Sequence, residues 1–138
     1  MHFSAKVQYG LQAILELARR ANSGPMKSTE ISVDQKIPAR YLEQLLLFLK
    51  RKGLVKSSRG REGGYAIARH PSDISLLEVI EALDGPIDLV GKKLKRSAQL
   101  LEVFSGLQGA LKKHLAEITL EDIILRIRRK EMSFVYHI

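Results

Sequence analysis

The sequence predicts a mainly α-helical fold with one small β-hairpin and a long helix towards the C-terminus. Three observations carry this prediction. Apolar residues recur every three or four positions, as Leu42, Leu45, Leu46 and Leu49 do, which is the spacing that puts one apolar face on a helix. A turn, Arg59-Gly60-Arg61-Glu62-Gly63-Gly64, separates two short strand-like runs over residues 54–58 and 65–68. Glycine there supplies the backbone freedom of a tight hairpin. Leu100, Phe104, Leu107, Leu111, Leu115 and Ile118 alternate steps of four and three over residues 98–118, the longest such stripe.

Each element has its own signals. Residues 5–22 form the first predicted helix, with Val7, Leu11, Ile14, Leu15 and Ala18 on one stripe. Asn22-Ser23-Gly24-Pro25 ends it, since Gly and Pro do not continue a helix cheaply. A short second helix starts at Ser28 or Thr29, either of which can cap it, with Glu30 in its first turn and Ile31 as its core residue. It ends before Pro38, because the residue ahead of a proline is pushed out of helical geometry. Pro38 suits the first turn of a third helix, and Leu42, Leu45, Leu46 and Leu49 are its core face. Lys50-Arg51-Lys52 occupies its last turn, where positive charge complements the helix dipole, and Gly53 closes it. After the hairpin, Ser75-Leu76-Leu77-Glu78 reads as a capping box. It opens a fourth helix through Leu76, Val79, Ile80 and Leu83, which Asp84-Gly85-Pro86 ends. Residues 87–97 are a linker carrying Lys92-Lys93-Leu94-Lys95-Arg96. Beyond the long helix, Thr119 with Asp122 caps a last helix over residues 120–131. Phe134-Val135-Tyr136 reads as a short strand or an extended tail.

Helix, short helix, turn, helix and glycine-turned hairpin, in that order, describe a winged helix-turn-helix. The second helix of the pair is anchored by leucines on one side and free on the other to enter a major groove. At about 100° per residue, with Leu42, Leu45 and Leu49 inward, Arg40, Gln44, Leu47 and Arg51 face outward. Glu43 and Phe48 lie on the flanks. Arg40 and Gln44 are one turn apart near the helix N-terminus. Arginine can pair with guanine, glutamine with adenine, and Glu43 can accept from a cytosine amino group. Arg51 and Lys52 lie further along, where phosphate contact is the expectation. The same polar residues also suit an ordinary solvated helix face. The wing beside them, with Arg59 and Arg61 flanking Gly60, favours DNA, because such a tip can enter a minor groove or follow phosphates. Tyr41 either bonds a phosphate or fills the edge of the core. Leu47 either meets a thymine methyl or packs on a neighbouring element.

The charge supports a polyanionic partner. There are 23 Lys plus Arg against 15 Asp plus Glu in 138 residues, a net charge of +8. Lys36, Arg40, Lys50, Arg51, Lys52, Lys56, Arg59 and Arg61 fall within residues 36–61, against the single acid Glu43. That clustering is an electrostatic footprint for double-stranded DNA. The chain has no cysteine, which excludes disulfides, thiolate metal sites and cysteine nucleophiles. Lys6, Gln8, Gln12 and Glu16 interrupt the N-terminal apolar residues, so no signal peptide is read. The longest apolar run, residues 45–49, is far short of a membrane span. A cytoplasmic protein with no membrane contact is expected. No catalytic grouping or phosphate-cradling loop has the required spacing, so neither enzymatic activity nor a cofactor or metal is expected.

Four strings now carry a family resemblance: Tyr41-Leu42-Glu43-Gln44-Leu45, Lys52-Gly53-Leu54-Val55, Arg59-Gly60-x-x-Gly63-Gly64-Tyr65 and Leu83-Asp84-Gly85-Pro86-Ile87. Together they resemble the Rrf-two family of bacterial winged-helix regulators, which includes IscR, NsrR and CymR. Lys6 and Tyr9 fit its N-terminal pattern and Thr119-Leu120-Glu121-Asp122 fits its last helix, so the resemblance covers nearly the whole chain. It implies a transcriptional repressor acting as a homodimer on a palindromic operator. Lys6, Tyr9, Arg40, Tyr41, Glu43, Gln44 and the wing residues Arg59, Gly60 and Arg61 would contact DNA, beside Arg51 from the helix geometry. Leu100, Phe104, Leu107, Leu111, Leu115 and Ile118 would make the dimer as the long helix crosses its symmetry mate.

The departures matter as much. Many members hold an iron–sulfur cluster on three cysteines between the Gly-Pro turn and the long helix. This chain has a short basic linker there and no cysteine, which excludes a cysteine-ligated cluster. A lone His114 does not replace it. In this the chain most resembles the CymR type, which implies a role in sulfur or cysteine metabolism. Val7 stands where the family usually has Gly, which alters the N-terminal phosphate contact. The expected organisation is a winged helix-turn-helix domain over residues 1–86, a basic linker over 87–97, and a dimerisation helix with a C-terminal helix over 98–138. The alternative is a protein-interaction module with only non-specific DNA binding, motivated by Leu47-Phe48 on or near the reading face. A small-molecule effector at the dimer interface and a protein partner both suit the pattern.

Overall fold

A computed structural model describes residues 3–94 and 96–136. Lys95 of the expected basic linker lies outside the described residues, as do residues 137–138 of the tail. The described chain is mainly helical with one two-stranded antiparallel sheet, in agreement with the fold class expected from the sequence. Helices α1 (Ala5–Arg19), α2 (Ser28–Gln35) and α3 (Ala39–Arg51) precede strands β1 (Val55–Ser58) and β2 (Gly64–Ile67). A 3₁₀ turn over Pro71–Asp73 leads into α4 (Leu76–Asp84), and α5 (Gly91–Leu94), α6 (Ala98–Glu117) and α7 (Leu120–Tyr136) follow.

One main core joins most of these elements. Ile14 and Leu17 of α1, Ile31 of α2, Leu42, Leu45, Leu46 and Leu49 of α3, Leu54 before the wing and Leu83 of α4 are buried together. Leu120 and Ile124 of α7 are buried in the same core. Burial of this kind stabilises by about 1.5–3 kcal/mol per large aliphatic side chain. A smaller cluster unites Val7, Ile80 and Leu115, so α1, α4 and α6 meet there. Gly10 lets α1 and α4 approach closely: a Cβ at that position would lie 2.3 Å from Leu83 Cδ1.

Local chemistry sets the element ends. Ser75 and Glu78 form the expected capping box at the start of α4. Thr119 and Asp122 make the same reciprocal pair before α7, with bonds of 2.9 and 3.1 Å. The second helix differs from expectation. Its N-cap is Lys27 and no side chain caps it; Ser28 instead points its hydroxyl at the Glu43 carboxylate, 3.5 Å away. The 87–97 linker contains the single turn α5. Asp88 accepts the backbone N–H groups of Val90 and Gly91, and Gln108 of α6 accepts that of Leu89 at 2.7 Å. The tail is also corrected: Phe134-Val135-Tyr136 continues α7. No Gly or Pro follows Thr119, and good helix formers between Arg126 and Met132 carry the helix onward. α1 stops at Arg19, three residues earlier than expected.

Candidate nucleic-acid interface

The α2–turn–α3 unit is held by its backbone as well as by its leucines. Lys36 adopts left-handed geometry, φ 55°, and reverses the chain. The Ile37 N–H donates to the Ser32 carbonyl at 3.0 Å, and the Ser32 hydroxyl donates to the Ile37 carbonyl. With the turn fixed in this way, α3 buries Leu42, Leu45, Leu46 and Leu49 at 0% exposure. Its other side is open: Arg40, Glu43, Gln44, Leu47 and Arg51 are all exposed. Phe48 is only half-buried and packs against the core.

The wing lies against this unit through contacts that join distant parts of the chain. Val55 pairs with Ile67 and Ser58 with Gly64. Met26, in the loop before α2, exchanges two backbone hydrogen bonds of 2.8 Å with Tyr65, so the hairpin gains a one-residue third strand. Gly64 makes this possible: φ is +148°, and a Cβ there would sit 2.6 Å from the Met26 carbonyl oxygen. The Lys50 ammonium donates to the Ser57 hydroxyl at 2.7 Å, which ties the end of α3 to β1. At the tip, Gly60 takes φ +102°, a conformation that favours glycine, and Arg59 and Arg61 on either side are exposed.

The N-terminal helix joins the same face. Tyr9 and Tyr41 meet edge to face, with centroids 5.9 Å apart and planes at 87°. Both rings are half-buried and pack against the core. Tyr41 therefore fills the core edge, one of the two placements its sequence allowed. Lys6, one turn before Tyr9, is exposed. Among the described residues, Lys6, Arg40, Arg51, Arg59 and Arg61 form no ion pair; the four salt bridges involve Arg19, Arg20 and Arg69. Sequence reasoning missed Met26, the Lys50–Ser57 bond and the Tyr9–Tyr41 contact. Its only signal for the first was an apolar residue after Gly24-Pro25.

The long helix α6 carries the second candidate surface. Leu100 and Leu107 are 48% and 53% exposed. Phe104, Leu111 and Ile118 are half-buried, whereas Leu115 is buried against Val7 and Ile80 of its own chain. Val103, beside these residues on α6, is 57% exposed.

Comparison with known proteins places this geometry. The Rrf2 family, described as an iron-dependent transcriptional regulator, matches residues 3–126. The chain belongs to the Rrf2 family. The HTH-type transcriptional regulator CymR of Bacillus subtilis (strain 168) is 33% identical over 138 residues, 100% of each chain. The solved structure of T. potens IscR has a TM-score of 0.76 at 34% identity, over 92% of this chain and 88% of its own. That of CymR, described as the global cysteine regulator of B. subtilis, has a TM-score of 0.71 at 33% identity, over 89% and 95%. This Rrf2 member is therefore a transcriptional regulator of the CymR and IscR type. Iron needs a donor set, and the donors present do not fit one. The chain has no cysteine, and among the described residues no three His, Cys, Asp or Glu side chains are grouped to hold a metal ion. No helix of the described chain is long and apolar enough to cross a membrane.

Proposed function

We propose that this Rrf2 member is a homodimeric, cluster-free repressor that reads a palindromic operator with α3 and the wing. The observation that carries the reading is the exposed set Arg40, Gln44, Arg51, Arg59 and Arg61, whose arginines form no ion pair among the described residues, beside a fully buried leucine face. Arg40 and Gln44 read base edges in the major groove. Glu43 contacts a base from the flank. Arg51, Lys6 and Tyr9 meet phosphates, with the Tyr41 ring at the core edge backing Tyr9. Arg59, Gly60 and Arg61 follow the adjacent minor groove or backbone. Two reading heads related by a dimer axis require half-sites in inverted repeat. The exposed Leu100, Val103 and Leu107 on α6, with the half-buried Phe104 among them, support pairing of two such helices. Leu111 and Leu115 continue the stripe but lean on their own chain, and the half-buried Ile118 ends it. The organisation that follows is a reading head over residues 1–86, the linker 87–97, and an assembly segment from residue 98. A role in sulfur or cysteine metabolism draws support from full-length similarity to CymR, whose solved structure is described as that of the global cysteine regulator of B. subtilis.

Selection of bound sites from random double-stranded DNA tests the proposal. An inverted repeat with half-sites about one helical turn, or a multiple of it, apart is the expected outcome. Recovery of no motif would favour instead an interaction module with non-specific DNA binding. Phe48 does not help that alternative, because its ring packs against the core.

A further inference from the structure

Leu47 is the apolar residue on an otherwise polar reading face. It lies three residues after Gln44, four after Glu43 and four before Arg51. On a helical wheel, Leu47, Arg40, Arg51 and Gln44 fall within an arc of about 60°. The side chain is 44% exposed, while Leu45, Leu46 and Leu49 around it are fully buried. It belongs to neither of the two core clusters. A single exposed leucine on an ordinary surface is common. This one stands where a polyanion would enclose it and remove its water.

We propose that Leu47 is a specificity residue that reads the C5 methyl group of a pyrimidine in the major groove. The inference rests on α3 being the groove helix. Most of the major-groove edge is hydrogen-bonding atoms, and the thymine methyl is its apolar feature. A leucine pressed on a cytosine amino group or a purine edge desolvates a polar atom without pairing it, which opposes binding. Pressed on a methyl group, it buries apolar surface on both sides. The three-residue step from Gln44 is about 4.5 Å along the helix axis, comparable with one base-pair step of about 3.4 Å. The pyrimidine read by Leu47 therefore lies within one or two base pairs of the base read by Gln44. Thymine and 5-methylcytosine offer the same chemistry, and duplexes separate them.

The test uses the full-length protein and the operator recovered by selection. Each thymine within two base pairs of the Gln44 position is replaced by deoxyuracil, which removes only the methyl group. One such substitution is expected to weaken wild-type binding about fourfold, the effect of one buried methyl-sized group. Leu47→Ala, at a half-exposed site, is expected to fold normally by circular dichroism and to show less than about a twofold difference between the two duplexes. At the same pair, 5-methylcytosine is expected to bind about fourfold better than cytosine. Equal wild-type affinity for the thymine and uracil duplexes overturns the inference, as does an equal loss in Leu47→Ala. So does an operator with no thymine in that window. These failures differ from failure of the α3 reading itself. In that case Arg40→Ala and Gln44→Ala would also leave the affinity unchanged, or no motif would be recovered, and both proposals would fall together.

Discussion

At Gly64 the wing strand passes the Met26 backbone with no room for a side chain. A Cβ would lie 2.6 Å from one carbonyl oxygen and would sit on a residue with φ +148°. Gly64→Ala is therefore expected to lose the Met26–Tyr65 pairing and to cost about 1–3 kcal/mol in urea unfolding; a variant as stable as the parent would count against that one-residue strand. Lys52, exposed at the C-cap of α3, has a different expected signature. Lys52→Ala should weaken binding to all sequences alike and reduce the salt slope of log K by about one. A loss confined to one sequence would make it a base contact. These residue-scale features were unequally legible. Arg40, Gln44, Arg59 and Arg61 could be read because helical period and a glycine turn fix which way a side chain faces. Met26–Tyr65, Lys50–Ser57 and Tyr9–Tyr41 could not. Met26–Tyr65 and Tyr9–Tyr41 join positions distant in sequence, Lys50–Ser57 spans the bend from α3 into β1 where no periodicity runs through, and a one-residue strand leaves no alternation to detect.

At the scale of elements, two reciprocal caps hold helix starts, and both titrate. Burial tends to raise the Glu78 carboxyl, but the Arg69 guanidinium and the Ser75 backbone and hydroxyl groups outweigh it and hold it below the usual carboxylate range. The backbone N–H and hydroxyl of Thr119 lower Asp122 in the same direction. A folded carboxyl held below its unfolded value stabilises at neutral pH, and that contribution is lost as pH falls through the folded value. The two caps should thus weaken together in acid, below about pH 4. Ser75→Ala is expected to cost about 1 kcal/mol at neutral pH. Glu78→Gln should flatten the acid limb of the stability profile followed by thermal unfolding. An acid limb identical to the parent's would show that the Glu78 cap does not contribute. Both caps were legible from residues three apart. The end of α7 was not: Phe134-Val135-Tyr136 has strand-forming side chains, but among the described residues no strand pairs with them, and the helix continues. The second helix misled for a related reason. Ser28 can cap, yet its hydroxyl turns to Glu43.

For the whole molecule, the proposed dimer depends on α6, about 30 Å long, with Leu100, Val103 and Leu107 about half exposed. Leu107→Glu is expected to shift sedimentation from dimer to monomer and to weaken operator binding while leaving the winged-helix unit folded. A parent protein that sediments as a monomer would remove the basis for an inverted-repeat operator. Sequence reading by α3 is decided by the affinity of Arg40→Ala and Gln44→Ala for the selected operator and for single-base-pair variants of it. Each variant is predicted to lose about 1–3 kcal/mol and to stop discriminating at one base pair, with the melting temperature unchanged. Unchanged affinity and unchanged discrimination in both variants would contradict the assignment of α3 as the reading helix.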